Sequence, residues 1–269
     1  MRKLHNFTKR AVWQGKVHAL RRRTAWRPWR VERERVEGRR RRLIIAIDGV
    51  AASGKSTTAR LVAEKLGYLY LDSGALYRAL TLKVIREGID PADEHEVAAL
   101  ARQTAIQLQR KGGHLRVLLD GQDVTEDIRA PEVAEKIGPV AANRAVREQM
   151  VALQRAIGAR GGVVAEGRDI GTVIFPHADL KFYFTASLEV RARRRQAEYA
   201  AKSVQAPLEE LAAQLQRRDQ DDARRAYGPL RKAPDAIEVD TTDLSIDQQV
   251  ELILRKVREH LGETGAARA

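Results

Sequence analysis

The chain has 269 residues, no cysteine and a formal net charge of +13. That length supports one sizeable α/β core with a small inserted module, and the missing thiols exclude disulfides and thiolate metal sites. No apolar run approaches the ~20 residues of a membrane span, and no secretory apolar segment opens the chain, so a cytoplasmic protein is expected.

The charge is unevenly placed. Residues 1–42 hold 16 Lys and Arg against three Glu, whereas the remainder balances 33 basic against 33 acidic residues. The body is therefore electrically neutral, and the high isoelectric point does not mark a nucleic-acid-binding core. Residues 1–42 also carry all three tryptophans, Trp13, Trp26 and Trp29. A basic stretch with interleaved aromatics suits contact with nucleic acid or an anionic membrane, and a solvated extension has the same composition. The stretch has the Arg-rich, acid-poor look of a transit peptide but contains no serine.

The body begins at Leu43. An apolar run to Ile47 reads as a strand and Ser56 to Leu66 as a helix. Between them stands Gly49-Val50-Ala51-Ala52-Ser53-Gly54-Lys55-Ser56, the pattern G-x-x-x-x-G-K-[ST] in its required setting. Glycines let successive N–H groups curl around one anion, and the helix N-terminus adds positive partial charge. Residues Gly49 to Thr57 are thus expected to hold the phosphates of ATP. Lys55 reaches the β- and γ-phosphates, and the Ser56 hydroxyl ligates Mg²⁺.

Gly67 is a natural C-cap, Tyr68 to Leu71 a second strand, and Ala75 to Glu87 a helix buried through Leu76, Leu80, Val84 and Ile85. Strand–helix–strand–helix with short connections predicts a parallel sheet covered on both faces. Asp72-Ser73-Gly74 at the strand end is an anion site with Arg78 one turn on, or a plain cap at Ser73. From about 90 to 135 the rhythm changes. Glu94 to Thr104 is helical, Leu115 to Leu119 a strand, and Asp120-Gly121 a hairpin turn, which predicts an insert over the substrate. Pro131 to Ile157 reads as one or two helices, and Val163 to Ala165 as a strand ending in Glu166-Gly167-Arg168-Asp169. That last pair is a ligand contact at the sheet edge or a surface ion pair.

Leu180 to Phe184 is a further strand, and Leu188 to Ala201 a helix bearing Arg191, Arg193, Arg194 and Arg195. Pro207 opens a helix with Leu208, Leu211 and Leu215 on one side, running into Arg217 to Arg225. These arginines are solvated helix faces, or a mobile flap that closes over two polyanions and excludes water. Ala236 to Val239 is the last strand. Ser245 and Gln248 form a capping box for a final helix striped by Val250, Ile253, Leu254 and Val257, and residues 263–269 are expected to fray.

A phosphate loop does not name a reaction. Asp72-Ser73-Gly74-Ala75-Leu76-Tyr77-Arg78, Glu166-Gly167-Arg168-Asp169-Ile170-Gly171-Thr172 and Arg217-Arg218-Asp219 to Arg225 closely resemble the bacterial cytidylate kinase family. So do Asp123-Val124-Thr125 to Arg129 and Glu132-Val133-Ala134. The resemblance spans about 43 to 260. It implies a P-loop nucleoside-monophosphate kinase fold, with a five-stranded parallel sheet flanked by helices. It further implies a domain over 43–262, an NMP-binding insert at about 73–147 and a helical lid at about 191–228. The implied reaction moves the γ-phosphoryl group of ATP, with Mg²⁺, to CMP or dCMP. Carried over by position, Ser73, Arg78, Arg147, Arg168, Asp169, Arg218 and Arg225 would form the CMP site. Arg191, Arg194 and Arg195 would face the transferring group beside Lys55. Gly138 stands where some relatives have a substrate-contacting serine, and Glu166 replaces an aspartate common before Gly-Arg-Asp. Residues 1–42 lie outside the resemblance. The rival readings are a kinase for another small acceptor and a nucleic-acid-dependent NTPase that uses the basic segment.

Overall fold

A computed structural model describes residues 42–111, 114–201 and 203–262. The expectations for the basic N-terminal segment and the frayed C-terminus fall on residues 1–41 and 263–269, outside the described residues.

The central sheet comprises β1 (Ile44–Gly49), β2 (Leu69–Asp72), β6 (Val163–Gly167), β7 (Leu180–Thr185) and β8 (Ile237–Asp240). Its order is β2-β6-β1-β7-β8 and every pairing is parallel, so the expected five-stranded parallel core is present. Side chains alternate across it. Ile45 and Ile47 face one hydrophobic cluster with Phe182 and Phe184, beneath α1 (Lys55–Leu66) and α8 (Ile246–His260). Ala46 faces the other, with Leu71, Ala165, Leu76, Leu80 and Met150. The runs at 43–47, 163–165 and 180–184 are apolar but for Lys181, as a sheet buried on both faces requires.

The opposite layer holds α2 (Ser73–Glu87), α3 (Glu94–Gln103), α4 (Pro131–Ala142) and α5 (Arg144–Gly158). The expected insert is a three-stranded antiparallel sheet of β3 (Ile106–Lys111), β4 (His114–Leu119) and β5 (Gln122–Asp123). Asp120 and Gly121 turn between β4 and β5 with φ of 50° and 85°, as a tight hairpin requires. The stretch 131–157 resolves into two helices because Asn143 ends one and caps the other, accepting from the amides of Ala145 and Val146. That break puts Arg147 in the first turn of α5.

Two further helices, α6 (Leu188–Ala200) and α7 (Leu208–Arg224), form a small unit of their own. Ala192, Leu211 and Leu215 pack with Ala51, so this pair rests directly on the phosphate loop. The capping box of α8 is complete in both directions between Ser245 and Gln248. Among the elements not anticipated is a π-helical turn at Ile170–Ile174, immediately after Arg168 and Asp169.

Candidate active site

The phosphate loop joins β1 to α1. Gly49 lies against the backbone of Phe184, where any Cβ would overlap a carbonyl oxygen, and the Val50 amide bonds that oxygen at 3.3 Å. Ser53 is fully buried and donates to Val50 O at 2.9 Å. Thr241 donates to Ser53 O at 2.8 Å. From below, Thr58 donates to Gln249 of α8 at 2.7 Å, and Gln249 donates in turn to Leu244 O at 3.0 Å. The loop is thus braced at Ser53 by the residue after β8 and, through α1, by α8.

Lys55 is buried and donates to Val50 O at 3.1 Å. Burial, and then repulsion from Arg168, lowers its ammonium to about 7 against the opposing pull of Glu166. The exposed Ser56 hydroxyl donates to Glu166 at 2.7 Å, and Tyr70 donates to the same oxygen at 3.3 Å.

Across from the loop, Asp72 is the N-cap of α2, accepting from the Ala75 amide at 2.9 Å. Ser73 is therefore the first helical residue and not the cap, and it is buried at 4% exposure. The second Asp72 oxygen holds Arg78 at 2.6 Å. Arg147 is almost wholly buried, ion-paired to Asp169, and flanked by the rings of Tyr77 and Tyr227 at 5.6 and 5.8 Å. Its Nε and the Tyr77 hydroxyl are buried without a hydrogen-bond partner among the described residues. Gly228, at φ 63°, closes over this pair, and a Cβ there would overlap both Arg147 and Asp169.

Arg168 donates through Nε to Asp222 at 2.6 Å, and Arg225 pairs with the other oxygen of that carboxylate. Burial raises the Asp222 carboxyl, yet Arg168 and Arg225 outweigh it and hold it below the usual range. Burial alone dominates Asp169, which is raised. Arg218 is pushed down to about 10 by burial and then by the neighbouring Arg168.

The predicted lid arginines separate. Arg191 is buried, donating to Asp219 at 2.6 Å and to Ala51 O at 3.3 Å, while Asp219 also accepts the Ala51 amide at 3.2 Å. Arg194 is tied to Thr241, through its hydroxyl at 3.1 Å and its carbonyl at 2.6 Å. Arg195 pairs with Glu198 at 3.1 Å over the Tyr199 ring, yet its charge still reaches Arg218. Arg168 and Arg218 thus lie within electrostatic reach of Lys55, Arg78 of Arg218, and Arg225 of Asp169 and its partner Arg147, while Arg191 stands beside the loop and Arg194 on Thr241.

The sequence profile of the cytidylate kinase family matches residues 45–259. The chain belongs to the cytidylate kinase family. A cytidylate kinase of Geobacillus kaustophilus is 48% identical over 223 residues, 83% of this chain and all of that protein. One of Symbiobacterium thermophilum is 49% identical over 220 residues, 81% of this chain and 97% of its own. That of Bacillus subtilis is 45% identical over 219 residues, 81% and 98%.

Within this cytidylate kinase framework, sequence reasoning passed over Asp219 and Asp222, which organise the arginines. The signal was present: Asp222 stands four residues after Arg218 and three before Arg225, spacing that shares one helix face. Among the described residues no group of three His, Cys, Asp or Glu could hold a metal ion, and no helix is long and apolar enough to cross a membrane. Mg²⁺ fits this donor set nonetheless, because it is commonly held by one or two protein oxygens together with substrate phosphates.

Proposed function

We propose that this chain is a cytoplasmic enzyme that transfers the γ-phosphoryl group of ATP to CMP or dCMP, giving ADP and CDP or dCDP. One observation carries the reading. Lys55 of the phosphate loop lies close enough to Arg168 and Arg218 to be repelled by both, and Arg218 is repelled likewise by Arg78 and Arg195. Arg78, Arg168 and Arg195 are paired with Asp72, Asp222 and Glu198, whereas Lys55 and Arg218 hold no ion pair among the described residues, and two phosphorylated substrates would supply their anions.

In this reading the amides of Gly49 to Thr57 cradle the ATP phosphates, and Lys55 bridges the β- and γ-phosphates. Ser56 would hold Mg²⁺, which neutralises phosphate charge when bound, and Glu166 orients the Ser56 hydroxyl. Arg78, Arg168 and Arg218 bind the acceptor phosphate. Ser73, Asp169, Arg147 and Arg225 line the pyrimidine and sugar side, where the Asp169 carboxylate can accept from an exocyclic amine. A cytosine offers that donor and a uracil does not. Residues of about 73–147 form the acceptor-binding part, and those of about 191–228 the lid. Arg191, Arg194 and Arg195 neutralise charge as the phosphoryl group moves. No covalent enzyme intermediate is needed, since positioning and charge compensation suffice. Residues 1–42 take no part, and their deletion should leave turnover intact.

The test is ADP release with Mg·ATP and CMP, dCMP, UMP, AMP, GMP or no acceptor. Turnover with CMP and dCMP, and little without acceptor, is the expected outcome. Preference for another monophosphate would overturn the acceptor assignment, and hydrolysis indifferent to any acceptor would overturn the kinase reading.

A further inference from the structure

One buried carboxylate, Asp48, belongs to neither group of site residues. It is the penultimate residue of β1, directly before Gly49 of the phosphate loop, and is 4% exposed. Its two oxygens each accept a backbone amide at 2.7 Å, one from Ile170 and one from Gly171. Those amides open the π-helical turn that follows Arg168 and Asp169, and the Asp169 carbonyl closes the turn by accepting from Val173 and Ile174. Asp48 also sits beside Gly167 in the β1–β6 register. The loop that carries the phosphates and the loop that carries the acceptor ligands therefore hang on one side chain, across 122 residues of sequence.

The chemistry of that side chain is specific. An aliphatic residue would leave two buried amides unpaired. An asparagine offers one acceptor and turns N–H groups toward the second amide. A glutamate keeps the charge but displaces it by one methylene. Only a carboxylate at this distance holds both amides.

We propose that Asp48 is a positioning residue for phosphoryl transfer, fixing Arg168 and Asp169 at a set distance from the phosphate loop and acting only through them. This rests on the reading of Arg168 and Asp169 as acceptor ligands. Small displacements of a bound group away from in-line geometry cost catalysis steeply, which gives such a tether its purpose. The groups facing Asp48 are Arg168 and Asp169 after β6, and Tyr183 and Lys181 on β7. Lys181 is engaged elsewhere, by Pro176 O at 2.6 Å and Asp235 at 2.9 Å. Burial raises the Asp48 carboxyl to about 7 against the pull of its two amide bonds. The form that holds both amides is the ionised one, so acceptor affinity should weaken as pH falls through about 7.

The experiment compares D48N and D48E with the wild-type protein, measuring KM for CMP and for Mg·ATP separately. The expected result is a KM for CMP raised roughly 10-fold or more by the loss of a charged hydrogen bond, with KM for Mg·ATP within about 2-fold. D48E should not rescue. Equal losses for both substrates, or an unchanged KM for CMP, would overturn the proposal. A wild-type protein that ignores CMP would instead sink the acceptor assignment, and the two failures are separable. Should neither variant fold, the wild-type protein reads the same contact. The amide protons of Ile170 and Gly171 should titrate together near neutral pH, and affinity for cytidine, which has no phosphate to ionise, should follow them. Cytidine affinity that stays flat across that range would overturn it.

Discussion

Arg168 donates to Asp222 at 2.6 Å although 54 residues separate them, and the carboxylate is 2% exposed. Asp222 is the shared anion between Arg168 and Arg225. Removing it in D222A leaves two cations in a desolvated cleft. We expect a stability loss of about 3–5 kcal/mol, read by urea unfolding. We also expect kcat/KM for CMP to fall roughly 100-fold or more. Because CMP returns a negative charge to the cleft, it should raise the melting temperature of D222A more than that of the wild-type protein. Equal shifts would refute this account.

Lys55 predicts a proton that moves. Its ammonium lies at about 7 in the folded chain, lowered by burial and then by Arg168. In the unfolded chain it titrates near ~10.4. Between those values the unfolded state holds a proton that the folded state lacks, so stability of the free protein should rise with pH across that window. ATP phosphates restore the charged form. Binding of Mg·ATP at about pH 8 should therefore take up a proton, measurable by calorimetry in buffers of different ionisation enthalpy. K55M should abolish the uptake.

Gly228 admits no side chain. It adopts φ 63° above the Arg147–Asp169 pair, where a Cβ would strike both partners. G228A should cost about 1–3 kcal/mol of stability through overpacking and backbone strain. It should raise KM for CMP while leaving ATP binding near normal. Parallel melting and two-substrate kinetics check both parts.

Glu166 fixes the hydroxyl that would meet the metal, accepting from Ser56 at 2.7 Å and Tyr70 at 3.3 Å. E166Q should raise the Mg²⁺ concentration for half-maximal activity by about 10-fold, the usual cost of losing an orienting partner. Rates at saturating Mg²⁺ should largely recover, and chelation of the metal should stop both proteins. A Mg²⁺ response identical to wild type would exclude this role.

Local chemistry made much of this legible from sequence. The phosphate loop is contiguous, and its residue types have few other uses, so Gly49 to Ser56 could be read as a turn between strand and helix. The strands were readable because a sheet covered on both faces demands largely apolar runs. Arg168 was flagged by its place after a strand, whereas Arg147 and Arg225 were reached only through resemblance, since nothing local sets them apart from solvated arginines. Asp48 and Asp219 escaped altogether. Each gains its meaning from a partner more than 120 residues distant, the Ile170 amide for one and the Ala51 amide for the other. At Asp72 and Ser73, two good capping residues stand side by side, and only the fold selects the aspartate. The π-helical turn answers to no local propensity; it exists where Asp48 gathers two amides at once.

The brace beneath the phosphate loop has a consequence for synthesis. Thr58 is made early, and Gln249, which receives its hydroxyl at 2.7 Å, emerges 191 residues later. A nascent chain halted before that point would display every motif of a kinase yet lack the support under its nucleotide loop. Domains fold as their segments leave the ribosome, and contacts of such long separation form last. ATP should consequently select finished molecules: a truncated product ending before the last helix would remain an idle bystander in the nucleotide pool.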